Sequence, residues 1–186
     1  MDLLKTILDS NALSVLLGGF VSLGSVYFVE FLNLKREKLR KKEKFSHELI
    51  AVANKIYYYA ILDAQVDTMF AYHKRVNEIS IDEFHKTEGV RRMLQLEEIK
   101  LKRIDLIVQL TTLGVQTSSH FDDNSALREI IREIENYELP NETYYDDVNN
   151  MHDLNIKFKT DDNSKTNQIN TTLKIKVEAL TTYLTF

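Results

Sequence analysis

Apolar positions along the chain follow two different patterns. Residues 12 to 32, ALSVLLGGFVSLGSVYFVEFL, are apolar almost without interruption, whereas from residue 45 onward apolar residues recur every three or four positions. The second pattern is that of amphipathic helices. Between 45 and 79 it is carried by Leu49, Ile50, Ala53, Ile56, Tyr57, Ala60, Ile61, Ala64, Met69 and Val76. Ser80-Ile81-Asp82-Glu83 has the spacing of a capping box, so one helix is expected to end near 79 and another to start at 81. Met93, Leu96, Ile99, Ile104, Ile107 and Leu110 carry that second helix, with Gly89 as a notch and an end around Gly114. QTSSHFDDN (116–124) reads as a loop, and SALREIIREIENYE (125–138) as a short amphipathic helix closed by Pro140. Residues 141–168 are rich in Asn, Asp, Lys and Thr. They predict a short helix in YDDVNNMHDL (145–154) and a loop at TDDNSK (160–165). A last helix carries Ile169, Leu173, Val177, Leu180 and Leu184, and no segment alternates as a strand would. The fold expected is all-α, with four or five helices forming an antiparallel bundle over 45–186.

The first pattern predicts something else. At the helical rise, residues 12–32 span roughly 31 Å, close to the hydrocarbon thickness of a bilayer. Twelve of them are Leu, Val or Phe, contributing about −5 kcal/mol to insertion in total. Glu30 opposes this but lies near one end, where a carboxylate reaches the headgroups. A single transmembrane helix over 12–34 is therefore expected. The run also holds three glycines and three serines, which a plain anchor does not need. On a helical wheel Asn11, Ser14, Gly18, Ser22, Ser25 and Val29 share a sector roughly 80° to 100° wide, with Leu and Phe opposite. Such a stripe lets helix backbones pack closely or, in a ring of helices, lines a water-filled centre; both make the protein a homo-oligomer. Glu30 has Asn33 and Leu34 at i+3 and i+4, so its own helix supplies no cation.

Charge fixes the orientation. The net charge of −4 conceals a basic block, KREKLRKKEK (35–44), with seven basic and two acidic residues, leaving 17 basic and 26 acidic residues elsewhere. The block predicts a cytoplasmic C-terminal side and an outside N-terminus. An acidic remainder excludes a broad nucleic-acid-binding surface. The domain boundaries read as an interfacial segment at 1–11, the membrane helix at 12–34, the basic juxtamembrane segment at 35–44 and a cytoplasmic helical domain at 45–186. No Pro or Gly interrupts 33–79, so the membrane helix is expected to continue into a long one. Arg36, Arg40 and His47 would extend the small-residue side toward a cytoplasmic mouth. With no cysteine in the chain, a disulfide framework and a thiolate zinc site are both excluded.

Motifs for catalysis are sparse. The chain lacks a P-loop, a G-x-S-x-G elbow, an H-E-x-x-H pair and an EF-hand loop. His120-x-Asp122-Asp123 and His152-Asp153 sit in polar surroundings where solvated side chains are the rule, so no metal or cofactor is expected. Tyr57, Tyr58, Tyr59, Phe70 and Tyr72 read as core packing. Asn141-Glu142-Thr143 matches a glycosylation acceptor that a cytoplasmic location would leave unmodified. Arg40 and His47 form an R-x6-H pair, i,i+7 on one helical face. In metal-independent ribonucleases an imidazole acts as general acid/base while an arginine holds the scissile phosphate.

A short N-terminal segment, one span, a basic juxtamembrane helix and an all-helical domain of this size resemble the small Csx-type membrane accessory proteins of type VI-B CRISPR loci. The resemblance covers the chain in layout. That family carries a divergent R-x4-6-H motif of the HEPN ribonuclease superfamily, which only Arg40 with His47 matches here. The resemblance implies a HEPN-like fold at most. It also implies an oligomeric pore that depolarises the membrane of infected cells, functionally linked to an RNA-guided, RNA-cleaving effector. A membrane-tethered ribonuclease using Arg40 and His47, or a non-conducting scaffold, are the alternatives.

Overall fold

The chain is all-α. A computed structural model describes residues 10–121 and 124–185, and their side chains except those of 10–14, 16 and 17. Among the described residues four helices follow one another: α1 Ser10–Ser80, α2 Glu83–Ser118, α3 Ser125–Glu135 and α4 Met151–Thr185. The chain divides into two compact units, Met1–Lys44 and Phe45–Phe186.

In the first unit the described side chains belong to one helix. Val15, Phe20, Val21, Leu23, Val26, Tyr27, Phe28, Val29 and Phe31 are each more than half exposed. At the helical period they point in every direction round the axis. Among the described residues no helix is long and apolar enough to cross a membrane. The side chains at 12–14, 16 and 17 of the apolar run, Leu13, Leu16 and Leu17 among them, lie outside that description.

The second unit is an up-and-down helical bundle. Its directions follow from residue pairs. Phe45 stacks on His120, Asp63 faces Arg103 and His73 meets His85, so α2 runs antiparallel to α1. Tyr57 donates to Asn170 and Tyr72 to Asn155, so α4 is antiparallel to α1 as well. Thr111 with Glu135, and Glu133 with Lys176, set α3 antiparallel to both α2 and α4. The main core joins all four: Leu49, Ala53, Ile56 and Ala60 of α1, Leu106 and Leu110 of α2, Leu127, Ile131 and Ile134 of α3, and Ile169, Leu173, Val177 and Leu180 of α4. A second cluster, Ala71, Val76, Tyr145, Val148 and Leu154, packs the segment before α4 against the end of α1.

Four boundary expectations are corrected. Asp82, not Ser80, caps α2, accepting from the Phe84 N–H at 2.9 Å. Ser80 instead donates back to the Val76 carbonyl. Between them Ile81 has φ +48° and its N–H donates to the Asn77 carbonyl, a left-handed C-terminal cap that usually falls to glycine. Secondly, α2 does not stop at Gly114 but runs on to Ser118. Gly114 is there for space, since a Cβ would lie 2.7 Å from Ile131 Cδ1 where α3 crosses. Gly89 lies within the helix, buried and close to His73. Thirdly, α4 begins only at Met151, where Asn150 and Asp153 bond reciprocally, so 145–150 is not helical. Fourthly, α4 passes unbroken through TDDNSK. Propensity there is overridden by tertiary bonding: the Lys165 ammonium is 2.7 Å from the buried carboxylate of Asp67.

Candidate functional site

Of the stripe residues, Asn11 and Ser14 have side chains outside the described ones. Gly18, Ser22, Ser25 and Glu30 are all exposed. The Ser22 hydroxyl donates to the Gly19 carbonyl at 3.0 Å and that of Ser25 to the Ser22 carbonyl at 2.7 Å. Both donors are thus satisfied inside the helix, which is how hydroxyls are carried in apolar surroundings. A Cβ added at Gly18, Gly19 or Gly24 would meet nothing within 4 Å. The stripe is therefore open to another molecule at backbone distance. Arg36 and Arg40 are exposed, and in the same block Lys41 pairs with Glu37 at 2.8 Å.

Arg40 belongs to the first unit and His47, also exposed, to the second. His120 stacks on Phe45, with ring centroids 5.7 Å apart, and Asp122 and Asp123 lie outside the described residues. His152 is exposed, and Asp153 is occupied in capping α4. Among the described residues no group of three or more His, Asp or Glu could hold a metal ion. The tyrosine run is split: Tyr57 and Tyr59 pack against the core, while Tyr58 faces solvent.

The sequence reading missed a polar cluster in the second unit, buried at Asp63 and Asp67 and open to solvent at Lys100 and Glu142. Asp63, Asp67, Lys100, Glu142 and Lys165 line a cavity of about 180 Å³ with Leu139 and Pro140. Asp67 accepts from the Thr143 N–H at 2.9 Å and from Lys165 at 2.7 Å. Lys100 pairs with Glu142 at 3.3 Å. Asp63 is the exception. Its Oδ2 is buried without a hydrogen-bond partner, and Arg103 Nε, 3.8 Å away, has none either. Burial raises the Asp63 carboxyl above the ordinary range, against the pull of Arg103 and Lys100. Next to the cavity Tyr145 is buried, its phenol pushed up by burial and by the Asp161 carboxylate. Arg75 ties the same segment down, donating to the Val148 carbonyl at 2.7 Å and to Asn149 at 2.9 Å. Through the Asp67 bond to the Thr143 N–H and the Arg75 bond to the Val148 carbonyl, the cluster fastens residues 139–149 to α1. One signal pointed to it: Asp63 and Asp67 stand in phase with Ala60, Ala64 and Ala71, on the core side of an otherwise apolar stripe.

At the far end of the α1–α2 hairpin the His73 and His85 Nδ1 atoms approach to 2.9 Å. Their ring centroids are 5.1 Å apart, so the two nitrogens point almost straight at each other. That is the geometry of one shared proton, rather than of two lone pairs converging on a metal. Burial first, then His85, Arg92 and Arg91, lower the His73 pKa against the opposing pull of Glu88. Comparison with family models, curated proteins and solved structures finds no match for this chain.

Proposed function

We propose that this protein is a homo-oligomeric permeability protein of the bacterial inner membrane. It crosses once, with the N-terminus outside and the helical domain of 45–186 in the cytoplasm. The observation that carries the reading is the helix of the first unit, whose apolar side chains are exposed on every side. In water such a helix would shed large apolar area into solvent; lipid and neighbouring copies are the surroundings that fit it. The span rests on the whole run 12–32, Leu13, Leu16 and Leu17 included. Its orientation rests on the basic block that follows. Gly18, Ser22 and Ser25 support the oligomer, because the glycine leaves room for a second backbone and the serines need no outside acceptor. Arg36 and Arg40 would then meet the inner headgroups or the inner mouth.

A role as an accessory in CRISPR-type antiviral defence, depolarising infected cells beside an RNA-cleaving effector, is supported by the layout resemblance alone. The non-conducting scaffold is favoured by one observation, the internally bonded serines, since a closed helix seam needs no water. Membrane potential in expressing cells, read beside the mass of the detergent-solubilised particle, separates the readings. Gly18→Leu with Ser22→Leu should abolish depolarisation and reduce the size of the particle, since a Cβ at Gly18 meets nothing in its own chain and the change acts on the neighbour. Loss of assembly without any depolarisation in the parent protein selects the scaffold. A parent protein that is monomeric in detergent sinks the proposal.

A further inference from the structure

Helix α2 has two apolar edges. Leu96, Ile99, Leu106 and Leu110 face the core. On the opposite side Leu94, Leu101, Val108 and Val115 recur every seven residues, each more than half exposed, and Val90 and Ile104 lie on the same stripe. At about 100° per residue these six fill a sector roughly 80° wide. A helix lying on lipid or on a core presents a broader face. A seven-residue spacing keeps to one line only when the helix winds left-handedly around another helix. The spacing thus specifies the missing neighbour: a helix held alongside for three heptads, about 30 Å.

We infer that α2 pairs in parallel and in register with α2 of a second copy of this chain. It rests on the proposed oligomer for the identity of the partner, and the flanking charges supply the rest. With Leu94, Leu101, Val108 and Val115 as the a positions, Lys100 occupies g and Asp105 the following e. Those are the two positions that bridge parallel helices, so a symmetric pair forms the Lys100–Asp105 contact twice. Asp105 is exposed, and Lys100 now holds Glu142 only through a surface pair at 3.3 Å. In an antiparallel pair e faces e, which sets the acidic edge of Glu98 and Asp105 against itself. Glu97 and Thr111 at d are the polar interruptions that fix register at some cost in stability, Thr111 being already bonded to Glu135 of its own chain. The same acidic edge disfavours an anionic lipid surface as the occupant.

The chain contains no cysteine, so single substitutions report individually. In membranes under mild oxidation, Leu94→Cys, Leu101→Cys and Val108→Cys should each shift most of the chain to a disulfide-linked dimer. Lys102→Cys, off the stripe, should stay monomeric. Adding Leu101→Lys to Val108→Cys should remove most of that dimer while leaving the far-UV circular dichroism unchanged. Ser22→Cys reads the membrane helix separately. If it cross-links while the three α2 positions remain monomeric, the α2 seam is wrong and the membrane oligomer stands. Cross-linking on α2 with a silent Ser22→Cys supports the seam and counts against the membrane assembly. Equal cross-linking at Lys102→Cys overturns the seam.

Discussion

Replacing Asp67 tests whether the polar cluster fastens the second unit together. Its carboxylate is 11% exposed, and it accepts from the Thr143 N–H and from Lys165, whose side chain is 12% exposed. Asp67→Ala removes both bonds at once. The unpaired amide costs about 1–3 kcal/mol, and stranding the ammonium of a buried pair brings the total to about 3–5 kcal/mol. Asp67→Asn keeps an oxygen for Thr143 and loses only the charge, so it should cost about 2 kcal/mol less than Asp67→Ala. Adding Lys165→Met to Asp67→Asn removes the stranded charge, and the double variant should lie within about 1.5 kcal/mol of the parent. Urea unfolding of the full chain in non-ionic detergent, followed by tyrosine near-UV circular dichroism, measures this. Of the nine tyrosines only Tyr27 falls outside the second unit. A cost below about 1 kcal/mol for Asp67→Ala, or a double variant equal to the sum of its singles, would refute the reasoning.

Other outcomes follow from single features. Ile81→Gly should stabilise the second unit by about 1 kcal/mol in the same unfolding assay, because a β-branched residue now holds the left-handed position. Gly114→Ala should change stability by less than about 1 kcal/mol, because the helix-propensity gain of about 1 kcal/mol offsets the shift forced on the Ile131 Cδ1 atom; in an Ile131→Val background, where that atom is gone, Gly114→Ala should stabilise. Asp63 has its pKa raised, so the folded state holds the proton more tightly; the stability this gives is present at low pH and lost as pH rises from about 4 through the raised value. Asp63→Asn should flatten that decline and leave the protein at least as stable at neutral pH. His73 is lowered instead, so its contribution is present above about pH 6.5 and lost as pH falls through the depressed value; His73→Gln should blunt that acid-side loss, read as melting temperature against pH.

The all-α class, the existence of each helix and most of the core were legible in the sequence, because helical period is a local property repeated over many residues. Leu49, Ile56, Leu110, Leu173 and Leu180 sit where their spacing put them. The apolar run, its small-residue stripe and the basic block are also properties of sequence alone. Tertiary structure decided the rest. TDDNSK became helix because Lys165 found Asp67 ninety-eight positions away, and Gly114 proved to be a packing site under Ile131 of α3 rather than a helix end. Asp63 and Asp67 became a fastening cluster only when residues 139–149 closed over them. The heptad on α2 was present in the sequence, but the stronger inner edge masked it until exposure separated the two faces. Local pattern determines which residues turn inward on a helix; which helix, charge or solvent they then meet depends on chain segments far apart in sequence, and that only the folded chain can choose.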